Sequence, residues 1–436
     1  MNTGKQGKGL FSWYFSSNLL IRIFAGLIFG AVIGILLGHN EAAARWFIEN
    51  FRFFGDVFIR LLKMIVVPVV LFSLIGGAAS LAPAHLGRVG CKIFIYYMLT
   101  SALAVTIGLI LANLIKPGLG FHVVGNETAL AAIKSTPSLT EVLLNIVPTN
   151  PLESLAKGDI LPIIFFAILF GVAISLVKDS TNARSAKAAE TLYEIFTAAA
   201  ETMYKIVAGV MQYAPVGVFV LIAIVFADQG PRAIGPLLMI TITVYIGLVL
   251  QLVFCYGGCL GAFGLNLFKF VNRASSPMVT AFVTRSSSGT LPITLQVTEE
   301  RMGAPRSIAS FSLPLGAAIN MDGTAIYLGV CAMFIGYATD MPLTFVQQAT
   351  VVITATLASI GTAGVPGAGA IMLIMVMDAI GMSVVAGSNI ATAYAMILGI
   401  DAILDMGRTS LNVTGDMVGT VIVAKTEKSL DLKAWE

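Results

Sequence analysis

Residues 270–297 read FVNRASSPMVTAFVTRSSSGTLPITLQV. Both ends of this stretch are apolar, but its centre is Arg285-Ser286-Ser287-Ser288-Gly289-Thr290-Leu291-Pro292. Ser, Gly and Pro at mid-depth interrupt a straight helix. Charge flanks it on both sides: Lys269 and Arg273 before, Glu299, Glu300, Arg301 and Arg306 after. The two ends therefore read as lying on one side of a membrane, and the stretch as a re-entrant helical hairpin with the Ser-rich turn at its tip. Irregular backbone at that depth is tolerated only where it is buried in protein or lines a cavity. A second stretch, 345–377, centres on residues 361–369, GTAGVPGAG, and reads as a hairpin entered from the other side. Each hairpin precedes a span with polar residues inside it: 307–337, broken at 320–324 (NMDGT), and 390–424. Hairpin-then-helix repeated in opposite orientation is an inverted repeat. Inverted repeats with broken helices point to a secondary-transporter site near the bilayer midplane.

The rest of the chain agrees. Of 436 residues, 57% are hydrophobic and 11% charged, with a mean hydropathy of +0.90. A soluble domain carries roughly 25% charged residues. Two or three soluble domains are thus excluded, and so is disorder, which needs low hydrophobicity. The expected fold class is an all-α polytopic membrane protein. Further spans fall near 19–38, 54–79, 92–115, 160–177, 202–226 and 236–261. The first is too long for a cleavable signal; its Gly26, Gly30, Gly34 and Gly38 make one smooth stripe where another backbone can approach. Lys and Arg concentrate in alternate connections (Lys5, Lys8 and Arg22; Arg88 and Lys92; Lys178, Arg184 and Lys187; Lys269 and Arg273), which puts both termini in the cytoplasm of a cell-membrane protein. The expected count is eight crossings plus two hairpins. The net charge of +3, with no basic run, gives no nucleic-acid signal. Cys91, Cys255, Cys259 and Cys331 lie in apolar stretches without CxxC spacing and read as small core residues.

The last span carries the chemistry. At about 100° per residue, Asp401, Asp405, Arg408, Thr409, Asn412 and Asp416 share one face about 100° wide. Each charge at mid-bilayer costs roughly 2.5–3.5 kcal/mol even on lenient scales. Such a stripe must face a polar interior. Ion pairs that merely hold a bundle together explain one Asp–Arg pair, but not six polar positions opposite two Gly/Ser-rich tips, since buried ion pairs are a weak source of stability. Arg408 has the planar fork that grips a carboxylate, Asp405 can take an ammonium group, and hairpin-tip N–H groups with Ser287 and Ser288 can bind a second carboxylate. That set fits an acidic amino acid. Asp322 and Asp416, with Asn320, Asn412 and the Gly316 carbonyl, are hard oxygen ligands suited to Na⁺, with a proton as the competing ion.

Residues 285–292, 320–324, 361–369 and the Asp405-Met-Gly-Arg408-Thr-x-x-Asn412-Val-x-Gly-Asp416 pattern, in this order and with Tyr96–Ser101 upstream, resemble the dicarboxylate/amino acid:cation symporter family, and within it the archaeal-type sodium–aspartate symporters related to excitatory amino acid transporters. The resemblance implies a homotrimer of elevator-type transporters in the lipid bilayer, and no enzyme. The scaffold would lie mainly within 1–269, whose third and sixth spans join a transport domain with its core in 270–436. Arg408 would bind the substrate side-chain carboxylate and Asp405 its amino group. Ser287, Ser288, Thr324, Val365, Gly369, Thr409 and Asn412 would complete the substrate site. One Na⁺ site would use Gly316, Asn320, Asn412 and Asp416. A second would use Tyr97, Thr100, Ser101, Asn320 and Asp322. A third would use backbone carbonyls of Ala318, Ser359, Ile360 and Thr362. The resemblance leaves L-aspartate as the expected substrate, with glutamate as a further one and a proton-coupled glutamate or C4-dicarboxylate symporter as the alternative.

Some positions depart from the family pattern. Ala318 stands where archaeal members carry Thr, at a site that uses the backbone. Met406 stands where potassium-coupled relatives carry Arg, while Arg285 supplies a positive charge from the first hairpin, as in potassium-independent members. Arg285 is read as having a transport-related role without direct substrate contact. Two enzyme classes fail on chemistry. A serine intramembrane protease needs a mid-membrane His to activate Ser287 or Ser288, and there is none. An aspartyl type would leave Arg408 and both hairpins unexplained. An ATP-driven pump needs a P-loop, which the sequence lacks.

Overall fold

The computed structural model describes residues 17, 19–79, 88–121, 123, 144, 146–359, 367–385 and 387–435. The helices are α1 (Leu19–Gly38), α2 (Glu41–Ala79), α3 (Arg88–Ile115), α4 (Pro151–Lys157), α5 (Ile160–Lys178), α6 (Ala183–Gln229), α7 (Ile234–Leu250), α8 (Gly257–Ala262), α9 (Leu267–Thr284), α10 (Ser287–Glu300), α11 (Arg306–Ile319), α12 (Asp322–Ala338), α13 (Phe345–Ala358), α14 (Ala368–Ala379) and α15 (Asn389–Thr426). No strand occurs among the described residues. Six helical stretches there are long and apolar enough to cross a bilayer. One of them, Ala183–Ala262, is 80 residues long and contains both α6 and α7, which the sequence reading separates. Between those two helices Gly230 leaves helical geometry and a 3₁₀ turn, Gly230–Ala233, with Pro231 intervenes.

Two helices run past the apolar limits read from the sequence. α2 begins at Glu41 and takes in Arg45 and Glu49, while α6 begins at Ala183 and takes in Arg184 and Lys187. Residues assigned to connections are thus helical, because a charged helix end outside hydrocarbon costs little and the backbone gains further i→i−4 bonds. The N-terminus of α6 is closed by the Asn182 side chain, which accepts from the backbone N–H groups of Arg184 and Ser185.

The helices segregate by their packing partners. α1, α2, α5 and α6 pack chiefly on one another, whereas α3 and α7 pack on α12 and α15 together with α9, α10 and α11. Exposure follows: 17% of the apolar window of α1 is buried, against 94% of the 306–338 window. The glycine stripe of α1 explains the closest of the outer contacts. A Cβ at Gly26, Gly30, Gly34 or Gly38 would stand 2.5–2.8 Å from the carbonyl oxygen of Pro215, Phe219, Ala223 or Ala227 on α6. Four glycines spaced by four meet four carbonyls spaced by four, so the two backbones touch along three turns. The cysteines depart from the core reading: Cys331 is buried, but Cys91 is exposed and Cys255 and Cys259 are half-buried. A thiol is apolar enough to face lipid, so an apolar stretch does not distinguish core from perimeter.

α9 and α10 pack together and are joined by Arg285 and Ser286 alone. Arg285 adopts the left-handed conformation (φ 54°), and its N–H closes α9 on the Ala281 carbonyl. Ser286 then caps α10, its hydroxyl accepting from the Gly289 N–H at 3.0 Å. The break at the Ser-rich centre is therefore a two-residue turn between capped helices. The tip of the second interrupted stretch, residues 360–366, lies outside the described residues.

Candidate functional site

α15 positions the charged stripe, and every member of it is buried: Asp401, Asp405, Arg408, Thr409, Asn412 and Asp416 are at most 6% exposed. Arg408 is wholly enclosed. Its Nη2 lies 2.9 Å from Asp405 Oδ1 and 3.0 Å from Asp401 Oδ1. Its guanidinium carbon stands 3.9 Å over the ring of Tyr327 on α12. Gly323 and Gly369 make room for it. A Cβ at Gly323 would meet the Arg408 carbonyl oxygen at 2.5 Å, and one at Gly369 would meet Arg408 Nη1 at 2.5 Å. Arg408 Nε and Nη1 and Asp405 Oδ2 are buried without a hydrogen-bond partner. Leaving such groups unmade costs on the order of 1–3 kcal/mol each. Two donors of Arg408 and one carboxylate oxygen of Asp405 are thus left without a hydrogen-bond partner on two side chains that are themselves paired through Nη2 and Oδ1. Thr409 adds a hydroxyl 3.4 Å from Asp405 Oδ1.

Where α11 gives way to α12, Asn320 and Met321 leave helical geometry, and Asn412 of α15 fills the gap. Its Oδ1 accepts from the Gly323 N–H at 2.8 Å, and its Nδ2 faces Thr324 Oγ1 at 3.5 Å and Met321 Sδ at 3.3 Å. Asn320 Nδ2 donates to Asp416 Oδ1 at 2.9 Å and to the Asn412 carbonyl at 3.3 Å, leaving Asn320 Oδ1 buried and unpartnered. Gly316 completes this group: a Cβ there would be 2.5 Å from Asp416 Oδ1 and 2.6 Å from the Tyr97 hydroxyl. Tyr97 itself donates to the Ser312 carbonyl at 3.0 Å.

A third group forms around Asp322, which is completely buried at the first turn of α12. Ser101 donates to its Oδ1 at 2.7 Å, and Tyr256 and Gln251 donate to Oδ2 at 2.7 and 3.1 Å. Thr100 contributes its carbonyl to the Gln251 amide at 3.2 Å.

The structure thus gathers Thr324, Gly369, Asp405, Arg408, Thr409 and Asn412, then Gly316, Asn320, Asp416 and Tyr97, then Thr100, Ser101 and Asp322, into three adjoining polar groups inside a membrane-length helical body. Other expected residues stand apart. Ser287 is buried, but Ser288 is exposed at the tip of α9–α10, and neither bonds to Arg408, Asp405 or Asn412 among the described residues. Arg285 is buried and lines, with Asp401 and Ala370, a cavity of about 20 Å³ shared with Phe58 and Met211. Ala318 and Met406 are half-buried. Ser359 is buried with its hydroxyl on the Thr356 carbonyl at 2.7 Å. Val365, Ile360 and Thr362 lie outside the described residues. Sequence reasoning missed Asp401 as a partner of Arg408, Tyr327 as its platform, and Gln251 and Tyr256 as partners of Asp322. A polar Gln251 inside an otherwise apolar span was the one available signal.

Among the described residues, helices of membrane length enclose buried carboxylates and a guanidinium with unmade hydrogen bonds, as expected of a polytopic membrane protein with a polar interior. Residues 19–426 match the sodium:dicarboxylate symporter family, and the chain belongs to that family of transporters. It is 34% identical over 416 residues to a proton/sodium-glutamate symport protein of Geobacillus stearothermophilus, covering 93% of this chain and 94% of that one. It is 35% identical over 433 residues to a proton/glutamate-aspartate symporter of Escherichia coli (strain K12), with 95% of each chain covered. A C4-dicarboxylate transport protein of Azorhizobium caulinodans is 32% identical over 424 residues, covering 96% of this chain and 90% of that one.

Proposed function

We propose that this chain is a secondary active symporter that takes up an acidic amino acid, L-aspartate foremost, together with Na⁺. The observation that carries the reading is the Arg408–Asp405 pair with its unmade bonds. Arg408 Nε and Nη1 are donors for a side-chain carboxylate, and Asp405 Oδ2 is an acceptor for an ammonium group. A C4-dicarboxylate without an amine would leave Asp405 Oδ2 unsatisfied, so the pair favours an amino acid. Thr324, Thr409 and Asn412 supply further polar contacts. Ser287 and Ser288 of the first hairpin and Val365 and Gly369 of the second close the site.

Sodium is the coupling ion in this reading. Asp416 with the Gly316 carbonyl, Asn320 and Asn412, and Asp322 with Tyr97, Thr100, Ser101 and Asn320, are hard oxygen sets of the kind that hold a small hard cation. A third set draws on carbonyls of Ala318, Ser359, Ile360 and Thr362. The unpartnered Asn320 Oδ1 supports a cation over a proton, since an amide oxygen is a ligand that does not titrate. The chain crosses the inner or plasma membrane eight times with two re-entrant hairpins and both termini in the cytoplasm. It assembles as a homotrimer in which the α1, α2, α5 and α6 layer is the scaffold, and the remaining helices carry the site across as an elevator.

Purified protein in liposomes tests this directly. Radiolabelled L-aspartate should accumulate under an inward Na⁺ gradient, with glutamate and succinate competing less well. Equal uptake driven by a pH gradient in Na⁺-free buffer would overturn the sodium assignment, and preferred uptake of succinate would overturn the amino acid. Arg408→Ala should abolish acidic substrate binding while permitting neutral amino acids.

A further inference from the structure

α7 passes into a six-residue π-turn, Gln251–Tyr256, before α8 resumes. Five residues of α-helix would leave the side chains of Gln251 and Tyr256 about 140° apart. The i→i+5 closure of a π-turn returns residues five apart to nearly the same face, and such turns concentrate at functional sites. Both residues consequently reach one carboxylate oxygen, Asp322 Oδ2, Tyr256 through its hydroxyl at 2.7 Å and Gln251 through Nε2 at 3.1 Å.

Gln251 is fully buried. Its Nε2 is spent on two acceptors, Asp322 Oδ2 and the Thr100 carbonyl at 3.2 Å. Its Oε1 has no partner. The amide is thus held with its donor toward the oxygens and its acceptor orphaned, at an expense of about 1–3 kcal/mol. Turning the amide over would aim Oε1 at two other oxygens, which is repulsive unless a cation lies between them. With a cation there, the Asp322 carboxylate, the Thr100 carbonyl and Gln251 Oε1 form one hard oxygen set.

We infer that Gln251 is a ligand of the cation held at Asp322, and that Tyr256, presented by the same π-turn, is a positioning residue that fixes the carboxylate for it. This rests on the sodium reading proposed above and adds the π-turn after α7 to a site otherwise drawn from α3, the α11–α12 break and the start of α12. The side-chain amide acts as a stand-in for the ion. It donates to the carboxylate and the carbonyl when the ion is away, and offers its oxygen when the ion arrives.

The test uses the full-length protein and Na⁺ itself, with choline as the inert replacement and Li⁺ as a second probe. Two readouts are taken: the salt-dependent rise in melting temperature of the purified protein, which reports binding without transport, and the Na⁺ concentration for half-maximal L-aspartate uptake in liposomes. Gln251→Leu should raise the Na⁺ requirement by roughly tenfold or more in both. It should also change the Li⁺-to-Na⁺ effectiveness ratio, which a loss of packing alone would leave in place. A wild-type Na⁺ requirement and an unchanged ratio in Gln251→Leu overturn the inference while leaving the sodium reading standing. No Na⁺ response in the wild-type protein overturns both. Should Gln251→Leu fail to fold, Tyr256→Phe, the loss of one oxygen, decides on the same readouts. A raised Na⁺ requirement supports the inference, and an unchanged one overturns it.

Discussion

A methyl group at position 369 would sit 2.5 Å from Arg408 Nη1 and 2.8 Å from its Cζ. Ordinary carbon contacts lie near 3.5–4.0 Å, so in Gly369→Ala the guanidinium must withdraw by about 1 Å. It has little freedom to do so. Tyr327 covers one face at 3.9 Å, and Nη2 is held at 2.9 Å by Asp405 and 3.0 Å by Asp401. One of these contacts must stretch, or Nη1 must turn from the place where it would meet a substrate carboxylate. A hydrogen bond to a charged group is worth about 1.5–3 kcal/mol. At 1.4 kcal/mol per decade, L-aspartate affinity should fall roughly 10- to 150-fold. Folding should change far less, because the collision is with the end of a side chain rather than with backbone. Isothermal titration of the purified variant at saturating Na⁺ gives the affinity, and its melting temperature without aspartate gives the stability. A folded Gly369→Ala protein that binds aspartate as the wild type does would refute the placement of the carboxylate at Arg408 Nη1.

Other consequences are equally direct. Gly34→Val would drive side-chain atoms into the Ala223 carbonyl and Phe226 Cβ, which lie 2.5 and 2.7 Å from a Cβ at that position. Overpacking of this kind costs about 1–3 kcal/mol, read as a lowered melting temperature with Na⁺ affinity unchanged. Trp435 is buried, with its indole N–H on the Met302 carbonyl at 2.8 Å, its carbonyl on Lys269 Nζ at 2.7 Å and the Arg273 guanidinium 5.0 Å over its ring. Trp435→Ala should therefore speed amide exchange at Lys269–Arg273 and Met302–Gly303, detectable by mass spectrometry, while the α1–α6 contact stays protected. The Glu427 carboxyl, just beyond α15, is held below its ordinary range by a hydrogen bond from Lys92, then by Arg88. A depressed carboxyl stabilises above its unfolded pKa, about 4.3, and that stabilisation is lost as pH falls through the folded value. The small melting-temperature gap between the wild type and Glu427→Gln should accordingly be present at pH 7 and close only in acid, as pH falls through the depressed folded value below the ordinary carboxylate range.

Much of the site was legible because membranes make polar residues informative. Asp405, Arg408, Asn412 and Asp416 stand out in an apolar span at helical spacing, and their common burial follows from the cost of charge in hydrocarbon. The Ser-rich break at 285–292 was legible for the same reason, and it is a two-residue turn between capped helices. Asp401 was visible in the stripe, but nothing in one helix says which of two aspartates an arginine grips, and Arg408 grips both. Tyr327 looked like any aromatic in a span. Ser288, in the first turn of α10, is exposed while its neighbour Ser287 is buried, because which face of α10 turns inward depends on how the two arms of the hairpin pack rather than on the composition of the break.

The sequence by itself determined the class of environment. Its hydropathy demands lipid, its interrupted stretches demand turns enclosed by protein, and its few intramembrane charges demand a polar interior. These are local demands, each met or failed within one segment by the cost of solvating that segment. Only the tertiary structure decided the partnerships: the four glycines of α1 against the carbonyls of α6, Arg408 between Asp401, Asp405 and Tyr327, and Asp322 beneath Ser101, Gln251 and Tyr256. The last depends on a π-turn, a change of helical phase smaller than one turn that no periodicity in the sequence announces. Contacts between helices depend on rotation and rise to within about an ångström, and residue type alone does not carry that precision.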